Sequence, residues 1–204
     1  MIHNFQKITY LFFVFGIQSA LGQVISQYVE TNAGSAPNGV EIWNNSANIL
    51  DFTANNLTVS IGHDGADCAA EFTISEGTLL PNAVLVIGTD TTVDTDDTYQ
   101  LRTITENNGS MFYSYPFTFD GDDVVTVSYG GEVTDMLGIC LTDPGDAWEG
   151  NGVSMANHVI VHREGIYNGT PTGFSDPSSR FYTQSSDPHE VLTNSYNVDA
   201  SIPY

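Results

Sequence analysis

Residues 115–135 read Tyr-Pro-Phe-Thr-Phe-Asp-Gly-Asp-Asp-Val-Val-Thr-Val-Ser-Tyr-Gly-Gly-Glu-Val-Thr-Asp. Two turn signals divide this stretch. Asp120-Gly121 and Gly130-Gly131 both suit tight hairpins of primed type, because aspartate tolerates and glycine freely adopts positive φ. Between them Val125, Val127 and Tyr129 fall on one side of an extended chain, and Thr126 and Ser128 on the other. Before the first turn Phe117 and Phe119 also share a side. The expectation is a three-stranded antiparallel meander, dry on one face and wet on the other, forming one sheet of a sandwich.

Working outward, the same alternation recurs. Val24–Glu30, Val40–Trp43 with Val40 and Ile42 on one face, the cleanly alternating Leu57–Ile61, and Glu71–Ile74 with Phe72 and Ile74 inward read as strands. Residues 83–87 form a continuous apolar run of strand length, expected in the middle of a sheet with both faces covered. Residues 99–104 and 112–119 read as strands. Pro116 marks the latter as an edge or a bulge, and its stripe Tyr113, Tyr115, Phe117 and Phe119 reads as core. Residues 90–98 are too polar to pack and read as a surface loop. Residues 143–157 form a long irregular loop with Trp148 as its packing anchor, followed by a strand over 158–163 and short strands at 180–183 and 190–192. Some ten short strands with no long helical period give an all-β, antiparallel β-sandwich with long loop insertions.

Composition narrows the function. Of the 204 residues, 25 are Asp or Glu and four are Lys or Arg, a formal net charge of -21. The single lysine, Lys7, lies in residues 1–22, where a short polar start, the apolar run 8–17 and the small residues Ala20 and Gly22 have the layout of a secretory signal peptide. The mature chain is then expected to begin at Gln23, soluble and without a lipid anchor, secreted or at the cell surface. Its three arginines leave nothing to neutralise a phosphate backbone, which argues against nucleic acid and against anionic membrane faces as partners. No stretch after the leader is apolar enough for membrane insertion.

The mature chain carries two cysteines, Cys68 and Cys140. In an oxidising compartment a disulfide closing about 70 residues would be worth ~4 kcal/mol in the chain-entropy view. Two separate buried thiols read equally well. Asp94, Asp96 and Asp97 cluster hard oxygens in one loop and are the candidate metal ligands, for weakly held Ca²⁺. Asp120, Asp122 and Asp123 offer the same chemistry, but turn formation explains them better. His158 and His162 lie on a strand, about 13 Å apart at ~3.3 Å per residue, too far to share an ion, and read as surface groups. His63 sits beside Asp64 in a turn, yet no nucleophile elbow or zinc-binding helix accompanies it. No catalytic residue and no cofactor-binding residue is assigned.

These stretches together resemble the lamin-tail domain family in its secreted bacterial form. The resemblance rests on residues 25–30, 39–44, 117–129, 131–135 and 143–148, covers about 24–165, and extends weakly to 176–181. It implies an immunoglobulin-like sandwich occupying residues 23–204 as one domain and a non-catalytic module. The expected function is therefore an exported binding or adhesion module that recognises an extracellular protein or glycan through its loops. The alternative is an accessory or degenerate component of a secreted, nuclease-type hydrolase system.

Overall fold

The computed structural model describes residues 22–30, 38–93 and 98–185. Ten strands make two sheets: β1 (Gln23–Val29), β2 (Gly39–Asn44), β3 (Leu57–Gly62), β4 (Ala69–Ile74), β5 (Val84–Gly88), β6 (Met111–Ser114), β7 (Val124–Tyr129), β8 (Glu132–Leu137), β9 (Val159–His162) and β10 (Phe181–Ser185). The larger sheet has the order β6-β5-β2-β1-β9-β10, and the smaller β8-β7-β3-β4. All pairings are antiparallel except β6 on β5. The fold is an all-β sandwich.

Alternation decides which side chains meet between the sheets. Ile25, Tyr28, Val40, Ile42, Leu85, Ile87 and Ile160 from the larger sheet pack with Leu57, Val59, Ile61, Val125, Val127 and Leu137 from the smaller. As its unbroken apolar run requires, β5 is buried at every position.

The meander is realised in part. Gly130 and Gly131, at φ +61° and +88°, close a tight turn between β7 and β8. Residues 115–123 are not a strand. Phe117 and Phe119 are nonetheless buried, with Phe119 stacked on Tyr28 at 5.0 Å between centroids. Their backbone is held by single contacts, such as Asn38 Nδ2 donating to the Phe119 carbonyl at 2.6 Å. Asp120-Gly121 forms a turn closed by the Asp123 amide donating to the Asp120 carbonyl at 3.1 Å, but it links no strand pair. The neighbour of β7 on its other side is instead β3. Nor is the outer face of β7 wet throughout, since Thr126 is buried.

Three further expectations change. Residues 98–100 are strand, paired with Thr91–Val93 in a short ribbon, so the stretch 90–98 is only in part a loop. From Leu101 the chain turns into the helix α1 (Leu101–Asn107). Leu101, Ile104 and Thr105 share one helical face, and Thr105 Oγ1 donates back to the Leu101 carbonyl at 2.8 Å. Gly109, at φ +79°, ends the helix. His162 is buried rather than exposed, because it alternates with Ile160 on the inner side of β9 and packs edge-on against Phe181 at 5.5 Å. Burial and the nearby Arg180 charge push its imidazole down to about 4.

One ion pair ties the sheets together. Asp135 of β8 and Arg180 are both buried, with Arg180 Nη2 donating to Asp135 Oδ2 at 2.9 Å. A bulge in β1 between Ile25 and Gln27 accompanies a third partner: the Ile25 amide donates to Asp135 Oδ2 at 2.8 Å, from one sheet to the other. The Thr170 amide donates to Oδ1 at 2.8 Å, and the Arg180 guanidinium lies over the Phe174 ring at 5.2 Å.

Candidate functional site

Loops from both sheets converge at the end where β3 finishes and β7 begins. Cys68 and Cys140 are joined there by a disulfide, with Cα atoms 5.6 Å apart. Of the two readings open for these cysteines, the structure takes the bridge. Cys68 immediately precedes the edge strand β4 and Cys140 follows the opposite edge strand β8, so the bridge runs beneath the sheet end. Gly62 makes room: a Cβ there would sit 3.0 Å from the Cys68 sulfur and 3.5 Å from Val124 Cβ.

Asp123 organises the loops. Its buried carboxylate accepts the Asp64 amide at 2.9 Å, the Asp120 amide at 3.0 Å and His63 Nδ1 at 2.7 Å. The other ring nitrogen, His63 Nε2, meets Glu71 Oε1 at 2.7 Å. Burial alone would lower the His63 pKa, but the hydrogen bonds and charges of Glu71 and Asp123 together raise it. With both nitrogens engaged by carboxylates, the ring can take a substrate proton only by giving up one of these contacts. The sequence neighbour Asp64 contributes its backbone N–H to Asp123 and is not the carboxylate paired with His63.

The acidic turn is fixed from behind. Tyr28 Oη donates to the Asp120 carbonyl at 3.2 Å, and Trp148 Nε1 to the Asp122 carbonyl at 2.9 Å. Trp148 is thus the anchor its loop requires. Gly121 is needed for close approach, because an added Cβ would lie 2.4 Å from that of Ala156.

In front of this turn an open cleft of about 310 Å³ is lined by Glu30, Asp120, Gly121, Asp122, Gly145, Asp146, Ala156 and Asn157. The charges there perturb one another. Burial is the main cause that lifts Glu30 to about 7, opposed by the hydrogen bond it accepts from the Asn157 amide. Asp122 rises to about 7 chiefly because it shares a hydrogen bond with Asp120, with burial and the Asp120 and Asp123 charges adding. Near neutral pH these groups hold protons that ordinary surface carboxylates would have lost.

Asp64, Asp122 and Asp123 can bring one oxygen each within 4.8 Å of one another. Both oxygens of Asp123 already accept N–H donors, so its first role is to shape the turn. Asp94, Asp96 and Asp97, the residues assigned to Ca²⁺, lie outside the described residues, as do residues 1–21 of the expected leader 1–22 and the expected strand at 190–192. Glu30, Glu71 and Asp146 were not singled out from sequence. Glu71 approaches His63 across strand pairing and Glu30 comes from the opposite sheet, so no spacing announces either. Among the described residues no helix is long and apolar enough to cross a membrane. No family model, no curated protein and no solved structure matches the chain.

Proposed function

We propose that the chain is an exported, non-catalytic recognition module, an immunoglobulin-like sandwich akin to lamin-tail domains, that takes basic segments of an extracellular protein at its acidic loop end. The observation that carries this reading is the cleft in which Glu30, Asp120, Asp122 and Asp146 face one opening on a turn fixed by Tyr28, Asp123 and Trp148. Binding residues held on loops by a rigid scaffold are the usual form of a recognition surface. A cationic ligand would relieve the repulsion among these carboxylates and displace the protons on Glu30 and Asp122. The engagement of both His63 nitrogens supports the non-catalytic part of the reading.

The test is binding of mature protein to a lysine- and arginine-rich peptide, an acidic peptide of equal length and a neutral glycan. Micromolar binding of the basic peptide alone is expected, weakening with salt as exposed charges are screened. The combined change Asp120→Asn, Asp122→Asn and Asp146→Asn should remove it. Equal binding by that variant would overturn the assignment of the site.

A second reading is favoured by one observation. Two carboxyls near neutrality in one cleft are what acid catalysis requires, as in a hydrolase or its degenerate descendant. Turnover of glycosides, esters or nucleic acid that is abolished by Glu30→Gln or Asp122→Asn would replace the first reading with this one.

A further inference from the structure

His63 stands directly after β3, in a short turn over His63–Gly65, and its ring lies between two other elements. Nδ1 is 2.7 Å from Asp123 Oδ2 in the turn before β7, and Nε2 is 2.7 Å from Glu71 Oε1 on β4. A neutral imidazole has one N–H and one lone pair, so it can donate to only one of two carboxylates; the other contact then sets a lone pair against an anion. Two contacts of this length therefore belong to a ring with a proton on each nitrogen. The charged groups around the ring are Glu71 from β4 and Asp123 from the turn, with Asp64 beside it in its own turn and Asp143 packed against Gly65 from the loop after β8.

The two carboxylates are not equally free to leave. The Asp123 side chain is 4% exposed and also accepts the Asp64 and Asp120 amides, so losing His63 would leave a buried acceptor short of a donor. The Glu71 side chain is 21% exposed and can turn to water. It also sits where β4 is least constrained. Val59 pairs with Phe72 and Ser60 with Ala70, so Glu71 is the extra residue of a bulge. β4 is the last strand of its sheet, with no strand beyond it among the described residues.

We propose that the His63–Glu71 contact is a proton-operated latch between the edge strand β4 and the acidic turn, closed while both ring nitrogens carry protons and released on the Glu71 side when one proton leaves. The departing proton goes from Nε2 to solvent, and the Nδ1–H stays with Asp123. Burial lowers the His63 pKa, but the hydrogen bonds and charges of Glu71 and Asp123 together raise it above the ordinary 6.5. The latch is thus closed below 6.5 and opens as pH rises through the raised value. Opening removes the ring's positive charge and leaves the Glu71 carboxylate unpaired, so the loop end becomes more acidic. The inference stands on the contacts of His63 and does not depend on what the acidic cleft binds.

The experiment is a titration of isotopically labelled mature protein from about pH 5 to about pH 9, with the His63 ring nitrogens followed by nuclear magnetic resonance. Both nitrogens should be protonated below a midpoint that lies above 6.5, and above it the remaining proton should be on Nδ1. The amide shifts of residues 70–72 should move at the same midpoint. Glu71→Gln, whose side-chain amide can donate to a bare Nε2, should keep the contact in the neutral ring and lower the midpoint by about one pH unit. A proton found on Nε2 above the midpoint overturns the latch, since Asp123 is then the contact released. So does an unchanged midpoint in Glu71→Gln, or a β4 whose amides ignore the titration. The tautomer and the amide shifts are read in the unaltered chain, so both outcomes hold whatever Glu71→Gln does to folding.

Discussion

Two groups of carboxylates in this molecule solve the problem of negative charge in opposite ways. Asp135, between the sheets, is fully buried and fully answered, by a bidentate Arg180 and by backbone amides from strand β1 and from the loop at Thr170. At the loop end, Glu30, Asp120, Asp122, Asp123 and Asp146 share no arginine among them in the described contacts; the basic group at hand is His63, whose two ring nitrogens meet Asp123 and Glu71. At Glu30 and Asp122 a proton does what a guanidinium does at Asp135. Of the chain's three arginines, Arg180 holds the sheets together and none pairs with the acidic loops among the described contacts.

The largest effect expected from testing this contrast is at the buried pair. Arg180→Met strands a charged Asp135 in the interior and should cost about 3–5 kcal/mol in urea denaturation. Arg180→Met combined with Asp135→Asn should cost less than the sum of the two single changes, because the stranded charge is then gone. Additive costs would mean that the pair acts only through its separate contacts. Next in size is the disulfide beneath the acidic end. Cys68→Ser with Cys140→Ser releases a separation of 72 residues and should cost about 2–4 kcal/mol. The loss should be greater at pH 8, where the neighbouring carboxylates are ionised, than at pH 5. A pH-independent loss would separate the bridge from the charges it underlies.

Smallest is the effect of a single acid. Between about pH 4.5 and 7 the folded chain keeps a proton on Glu30 that the unfolded chain has released, so stability falls as pH rises through this window. Asp122 acts in the same direction from 3.8 to about 7. So does His63, whose raised pKa gives a contribution present below 6.5 and lost as pH rises through the folded value. His162 opposes them, withdrawing stability as pH falls from 6.5 towards 4. The two carboxyls outweigh the one imidazole, so melting temperature should fall as pH rises from about 4.5 to about 7. Glu30→Gln should gain about 1 kcal/mol at pH 8 and nothing at pH 4. A gain of equal size at both pH values would show that the carboxyl's charge is not what costs stability.

How much of this was legible in the sequence follows from what each element depends on. Strands β3, β5 and β7 are set by alternation or by an unbroken apolar run, both local properties, and Gly130-Gly131 fixes its own turn. Phe117 and Phe119 alternate in the same way, yet the side chain of Asn38 and the ring of Tyr28 bury them without strand pairing. In α1 the spacing of Leu101, Ile104 and Thr105 together with Gly109 was a helix signal, masked by the β-branched Thr103 and Ile104 and the strand that leads into it. The acidic loop end was half visible. Asp120, Asp122 and Asp123 could be seen as a cluster, whereas the contribution of Glu30 exists only once two sheets have met. The Asp135–Arg180 pair has no local signature, since 45 residues separate its members.

The register of β1 has a consequence in time. Its last three residues pair with Val161, Ile160 and Val159, some 130 positions further along. A chain emerging amino terminus first can form the β7–β8 hairpin and close the Cys68–Cys140 bridge while β9 and β10 are still to come. Until they arrive, β1 is an open border of its sheet, able to accept a strand from any other molecule. Closing so distant a contact is slow, since the entropy of the intervening chain is lost before the pairing is gained. Refolding of the chain should thus stall with the larger sheet incomplete, and a low concentration would be needed for the interval.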